Sequence, residues 1–125
     1  MTVLDGSALI AFIRGEPGAE KVAERLDGAL MSAANLAEVL TKATEWARDP
    51  AEVLAEIRHL PIVVVPVSAK HALTAALLRP LTRSAGLSLG DRFCLALALS
   101  TGRPAMCAEA AWVGLPHNVE IELIR

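Results

Sequence analysis

Short apolar runs alternate with stretches of helical periodicity along the whole chain, and this alternation limits the possible folds more than any other feature. The runs are Val3-Leu4, Ala29 to Ala33, Ile62 to Val65, Pro104 to Cys107 and Val119 to Ile124. Val3-Leu4 is apolar enough for a strand covered on both faces of a parallel sheet, Ile62 to Val65 is the least ambiguous strand, and Val119 to Ile124 alternates. Between them lie Ala8 to Ile13, Ala19 to Leu26, Asn35 to Trp46, Ala51 to His59, Ser68 to Leu78 and Phe93 to Leu99, with apolar residues at helical spacing. Strands and helices in this order imply an α/β fold, a three-layer α/β/α sandwich on a mainly parallel sheet. Turn signals fall where the elements should end, at Gly15-Glu16-Pro17-Gly18, Asp27-Gly28, Asp49-Pro50, Arg79-Pro80 and Thr101-Gly102. Thr82 to Gly86 reads as an exposed loop. With 125 residues and no repeat or linker, the expectation is a single domain over 1–125 with one sizeable core.

Val3-Leu4 stands almost at the start of the chain, so Asp5 falls at the carboxyl end of the first strand. In open α/β sheets that edge is where ligands bind. A plain alternative is that Asp5, Gly6 or Ser7 merely caps the following helix. Three later acids fall near the same edge. Glu109 follows the fourth strand at nearly the offset Asp5 has from the first, and Asp91 opens the helix leading into that strand. Glu38 lies one turn inside the helix after the second strand, three residues beyond Asn35. An i, i+3 pair shares a helix face, so Asn35 and Glu38 can point together.

Each acid also has an ordinary structural explanation. Ser88-x-x-Asp91 fits a capping box, Glu109 suits a helix N-terminus, and Glu38 can pair with Lys42 at i, i+4. The helix behind Asp91 has almost no polar face, however, so an ionised Asp91 near the core boundary needs positive compensation. Carboxylates converging at one sheet edge repel one another and resist ionisation. A divalent cation removes that conflict, and an all-oxygen set without His or Cys suits Mg²⁺ or Mn²⁺ rather than zinc. Carboxylate-held ions of this kind are a common apparatus of phosphodiester hydrolysis.

Composition narrows the alternatives. Aromatics are 3% of the chain and Tyr is absent, which argues against a base-stacking platform for single strands. A formal charge of −2 leaves no basic footprint, so contact with nucleic acid must be local. Cys94 and Cys107 sit in apolar surroundings without a C-x-x-C, as buried reduced thiols of a cytoplasmic protein do. His59, His71 and His117 have no metal-ligand spacing. No secretory signal and no run long enough to cross a membrane is present.

Taken together, Val3-Leu4-Asp5-x-Ser7-Ala8-Leu9, Ser32-Ala33-x-Asn35-Leu36-Ala37-Glu38-Val39, Gly86-Leu87-Ser88-Leu89-Gly90-Asp91-Arg92 and Ala108-Glu109-x-x-Trp112 resemble a PIN domain. They are similar in particular to the VapC-type toxins of prokaryotic toxin–antitoxin pairs, in order and spacing from end to end. The resemblance implies a Mg²⁺- or Mn²⁺-dependent endoribonuclease acting on tRNA, rRNA or mRNA. It implies Asp5, Glu38, Asp91 and Glu109 as the acidic residues, with Ser7 and Asn35 as supporting polar positions. It also implies a homodimer and a cognate VapB-type antitoxin whose tail lies over the active site. Where such proteins usually carry Thr-Ala-Asp, this chain has Cys107-Ala108-Glu109. Both departures fall on the second metal position rather than the first.

Two other Asp-centred families fit less well. A haloacid-dehalogenase-type phosphatase needs a second Asp where Ser7 stands, and a receiver domain needs an Asp where the third strand runs into Pro66-Val67. A non-catalytic PIN fold serving as a binding module is the alternative from another functional class. If RNA is bound, Arg92 beside Asp91, with Arg79 and Arg83 flanking the preceding loop, are the expected phosphate contacts.

Overall fold

The computed structural model describes residues 1–125. Its centre is a five-stranded sheet of order β3-β2-β1-β4-β5 in which every neighbouring pair is parallel. The strands are β1 (Val3–Leu4), β2 (Leu30–Ser32), β3 (Val63–Val65), β4 (Ala105–Cys107) and β5 (Ile121–Leu123). β1 is central and wholly buried, as its apolar run requires. The expected three-layer sandwich is what forms, with a fully parallel sheet.

Because successive strand residues face opposite sides, the three inner strands feed two cores. Leu4, Met31 and Met106 pack with Ala8, Leu9, Val22, Val39, Val53 and Ile57. These come from α1 (Gly6–Arg14), α2 (Ala19–Ala23), α3 (Ala33–Glu45) and α4 (Pro50–Arg58). Val3, Ala105 and Cys107 face the other way, toward Leu78, Cys94, Leu95, Leu97, Ala98 and Trp112. That layer is built by α5 (Ala69–Leu77), α6 (Arg79–Thr82) and α7 (Leu89–Thr101). α7 needs almost no polar face because it lies directly on β1, β2 and β4. It is closed by Gly102, whose left-handed backbone (φ 65) lets its N–H reach the Ala98 carbonyl.

Several local expectations shift. The segment after Arg79-Pro80 is not a loop: α6 continues into a 3₁₀ turn at Arg83–Ala85, and Thr82 is fully buried with its hydroxyl on the Leu78 carbonyl. Proline at the second position of α6 is compatible with a helix start, since no N–H is required there. The third strand, the most apolar run in the sequence, lies at the sheet edge with Val63 54% and Val64 37% exposed. Its composition therefore marks a surface rather than a buried centre. No helix is long and apolar enough to cross a membrane.

Candidate active site

The carboxyl ends of β1, β2 and β4 and the N-terminal turns of α1, α3 and α7 meet at one edge of the sheet. Asp5 leaves β1 with its N–H on the Met106 carbonyl (2.9 Å) and becomes the N-cap of α1. Its Oδ2 accepts from the Ser7 N–H at 3.1 Å and the Ser7 hydroxyl at 2.6 Å. The same hydroxyl accepts from the Ala108 N–H at 3.0 Å, tying the end of β4 to the start of α1. The capping role and the position at the functional edge thus coincide in one residue.

Asn35 projects from the first turn of α3 and is fully buried. Its Nδ2 faces three acceptors: Glu38 Oε1 at 2.9 Å, the Gly90 carbonyl at 2.9 Å and Asp5 Oδ1 at 3.4 Å. An amide nitrogen has two hydrogens, so the Asp5 contact, the longest, is the weakest served. With only acceptors around it, the amide is oriented nitrogen-inward, and Asn35 Oδ1 is left buried with no partner. Asp91 forms the capping box at the start of α7: its Oδ2 accepts from the Ser88 N–H (2.8 Å), and Ser88 Oγ accepts from the Asp91 N–H (3.1 Å). Glu109 precedes the 3₁₀ turn Ala110–Trp112, is exposed, and makes no capping bond.

Asp5, Ser7, Glu38, Asp91 and Glu109 line one cleft of about 270 Å³, in which Ile10 is the only apolar lining side chain. Asp5 is 3% exposed. Burial, reinforced by the charges of Asp91 and Glu38, pushes its carboxyl from the ordinary 3.8 up to about 7, against the bonds from Ser7. Glu38 is raised too, chiefly by burial and then by Asp91, against its bond from Asn35. The ion pairs of the chain, Arg25–Glu122, Lys42–Glu45, Arg48–Glu56 and Arg125–Glu16, use none of the four acids. An anionic edge without an ion pair remains, running from buried Asp5 through half-buried Glu38 and Asp91 to exposed Glu109.

That donor set fits a hard divalent ion: all oxygen, no imidazole, and thiols that stay protonated. Burial pushes the Cys107 thiol to about 12 and the Cys94 thiol well above its usual range. No three His, Cys, Asp or Glu side chains stand close enough to grip an ion without moving. The reason is visible in the bonds. Glu38 is drawn toward Asn35, and one oxygen of Asp91 is committed to Ser88.

The cations differ from the sequence expectation. Arg92 does not line the cleft; it turns into the α5–α7 interface, donating from Nη1 to the Ala75 carbonyl at 2.9 Å. Arg79 similarly reaches the Leu87 carbonyl, and Arg83 lies in the 3₁₀ turn, outside the lining. The cleft's own cations are Lys42 and Arg125. Lys42 lies one turn beyond Glu38 on α3, a spacing that already placed it on the same face, yet it bonds Glu45 at 3.4 Å and not Glu38. Nothing in the sequence pointed to Arg125, which follows β5 and contacts Glu16 (3.6 Å) and the Pro17 carbonyl (2.9 Å). The weak sulfur contact from Cys107 to the Glu109 carbonyl, 3.6 Å, was equally unforeseen.

Comparison with known proteins places the fold. The fold is similar to a toxin–antitoxin complex from Klebsiella pneumoniae, with TM-score 0.76, 18% identity, and coverage of 100% of this chain and 98% of that one. It is similar to VapBC2 from Rickettsia felis bound to a promoter DNA fragment, with TM-score 0.74, 16% identity and 98% of each chain covered. It is also similar to Mycobacterium tuberculosis VapC20, a sarcin–ricin-loop-cleaving toxin, with TM-score 0.73, 18% identity, and coverage of 94% of this chain and 98% of that one. No curated protein matches by sequence. The PIN domain family model, by contrast, matches residues 2–109, a span that takes in all four acids. The chain belongs to the PIN domain family.

Proposed function

We propose that this protein is a Mg²⁺- or Mn²⁺-dependent endoribonuclease and the toxin of a toxin–antitoxin pair. The observation that carries the reading is a carboxylate edge with no ion-pair partner: buried Asp5 with half-buried Glu38 and Asp91 around one polar cleft, and Glu109 at its rim. Membership of the PIN family supports it, as does the fold shared with VapC20, a sarcin–ricin-loop-cleaving toxin.

Asp5 and Asp91 would hold the ion, with Glu38 and Glu109 completing the set directly or through water. When bound, the ion supplies Lewis-acid activation of the phosphate and lowers the pKa of a bound water. The protein's own residues do the rest. Ser7, bonded to both Asp5 and Ala108, fixes the Asp5 carboxylate. Asn35 occupies Oε1 of Glu38, which leaves Oε2 to accept a proton from the attacking water. Lys42 and Arg125, which line the same cleft, would contact phosphates of the bound RNA.

A cytoplasmic site of action, a VapB-type antitoxin and a homodimer belong to the same reading. Support for association is the exposed apolar stripe Leu73, Leu77 and Leu81, which runs along α5 and α6 at helical spacing. The test is 5′-end mapping of cellular RNA after induced expression. New ends should appear at discrete positions with the wild type and vanish with Asp91→Asn. Absence of new ends, with RNA still bound by the purified chain, would favour a non-catalytic binding module.

A further inference from the structure

Glycine is the poorest helix former after proline, yet Gly90 occupies the second position of α7. Its backbone is helical rather than left-handed, so conformation does not call for glycine there. The reason is spatial. A Cβ built on Gly90 would collide with the carboxylate of Glu38, meeting Cδ and both oxygens. On its other side the carboxylate passes Gly6 at ordinary van der Waals range, with 3.7 Å from Oε1 to a Cβ built there. Asn35 then clamps this arrangement from α3, donating to both Glu38 Oε1 and the Gly90 carbonyl at 2.9 Å.

We infer that Gly90 is a positioning residue: the gap left by its missing side chain is the cradle that holds the Glu38 carboxylate beside Asp5 and Asp91. This rests on the proposed role of Glu38 in the ion-holding set. Glu38 is half-buried and flexible at its end, so an alanine at position 90 displaces the carboxylate without breaking the fold. The consequence is selective loss of function in a protein that still folds.

Mn²⁺ binding to the purified chain tests this, measured by titration calorimetry on wild type, Gly90→Ala, Glu38→Ala and the double variant. Gly90→Ala should weaken Mn²⁺ binding by about tenfold or more, as loss of a ligand-orienting contact does. It should weaken it no further in the Glu38→Ala background. Wild-type affinity in Gly90→Ala, or the same loss in both backgrounds, overturns the inference. Thermal melts of the four metal-free proteins judge the cradle even if the wild type binds no Mn²⁺, a result that would count against the proposed function instead. Gly90→Ala should raise Tm more in the Glu38→Ala background than in wild type, because only there does the helix gain its alanine without displacing a carboxylate. An equal rise in both backgrounds overturns the inference.

Discussion

Replacing Asp5 by Asn should make the metal-free protein more stable, by an amount that depends on pH. Asp5 is almost completely buried, and its carboxyl is raised from the ordinary 3.8 to about 7 despite two bonds from Ser7. The sign follows from which state holds the proton more tightly. With the folded value above the unfolded one, stability is undiminished below about 3.8 and falls as pH rises through about 7. At about 1.4 kcal/mol per pH unit, the wild type has lost about 4 kcal/mol above neutrality. Asn carries no ionisation and remains a good N-cap, so it escapes this loss. For a chain of this length an unfolding entropy of about 2.1 cal/mol/K per residue turns about 4 kcal/mol into roughly 15 °C of Tm. Melts of both proteins in EDTA from pH 4 to pH 8 check it. The two curves should nearly coincide at the acid end, with Asp5→Asn pulling ahead toward pH 8. Excess Mg²⁺ should then narrow the gap by stabilising the wild type alone. A Tm difference independent of pH, or a variant that melts below wild type at pH 8, would refute the reasoning and leave Asp5 as a helix cap only.

Asp91 should behave in the opposite way, because it closes the capping box with Ser88. Asp91→Ala should cost about 1 kcal/mol at neutral pH in EDTA, read as a lower urea midpoint, and more in excess Mg²⁺, which stabilises the wild type; an unchanged midpoint in EDTA would empty the cap of importance. Glu109 is exposed and uncommitted, so Glu109→Gln should leave Tm unchanged while raising the Mg²⁺ concentration for half-maximal cleavage. An unaltered metal dependence removes Glu109 from the site. For substrate binding, measured on inactive Asp5→Asn, Lys42→Ala and Arg125→Ala should each reduce the log–log salt slope by about one. Arg92→Ala should leave the slope alone but lower Tm, since its guanidinium bonds the Ala75 carbonyl; the reverse pattern would relocate the RNA path.

What could be read from the sequence was whatever depends on local order. Val3-Leu4 followed by Asp5 specifies a buried strand and a helix cap from neighbouring residues alone, and both are present. Ser88 and Asp91 are three apart, so the capping box follows from spacing, as does the shared face of Asn35 and Glu38. Contacts between elements were not legible. Arg92 adjoins Asp91 in sequence, but a helix turns successive side chains by about 100°, and Arg92 points into α5 instead of the cleft. Arg125 reaches the site because β5 pairs in parallel with β4, and Gly90 matters because α3 and α7 approach there. Neither relation leaves a local signal. The place of the third strand at the sheet edge left no local signal either: apolar character states that a residue avoids water, not which surface will cover it.

The most direct measurement is cleavage of a 5′-labelled RNA by the purified chain across a Mg²⁺ titration, with product ends identified. The RNA is to be chosen from the end mapping. The wild type should cut only with Mg²⁺ or Mn²⁺, stop on addition of EDTA, and leave linear phosphate ends, because the nucleophile is water and not the neighbouring 2′-hydroxyl. Asp5→Asn, though folded, should not cut at all. Cleavage that persists in EDTA or in Asp5→Asn, or that leaves cyclic phosphate ends, would contradict a metal-bearing carboxylate edge as the seat of the activity.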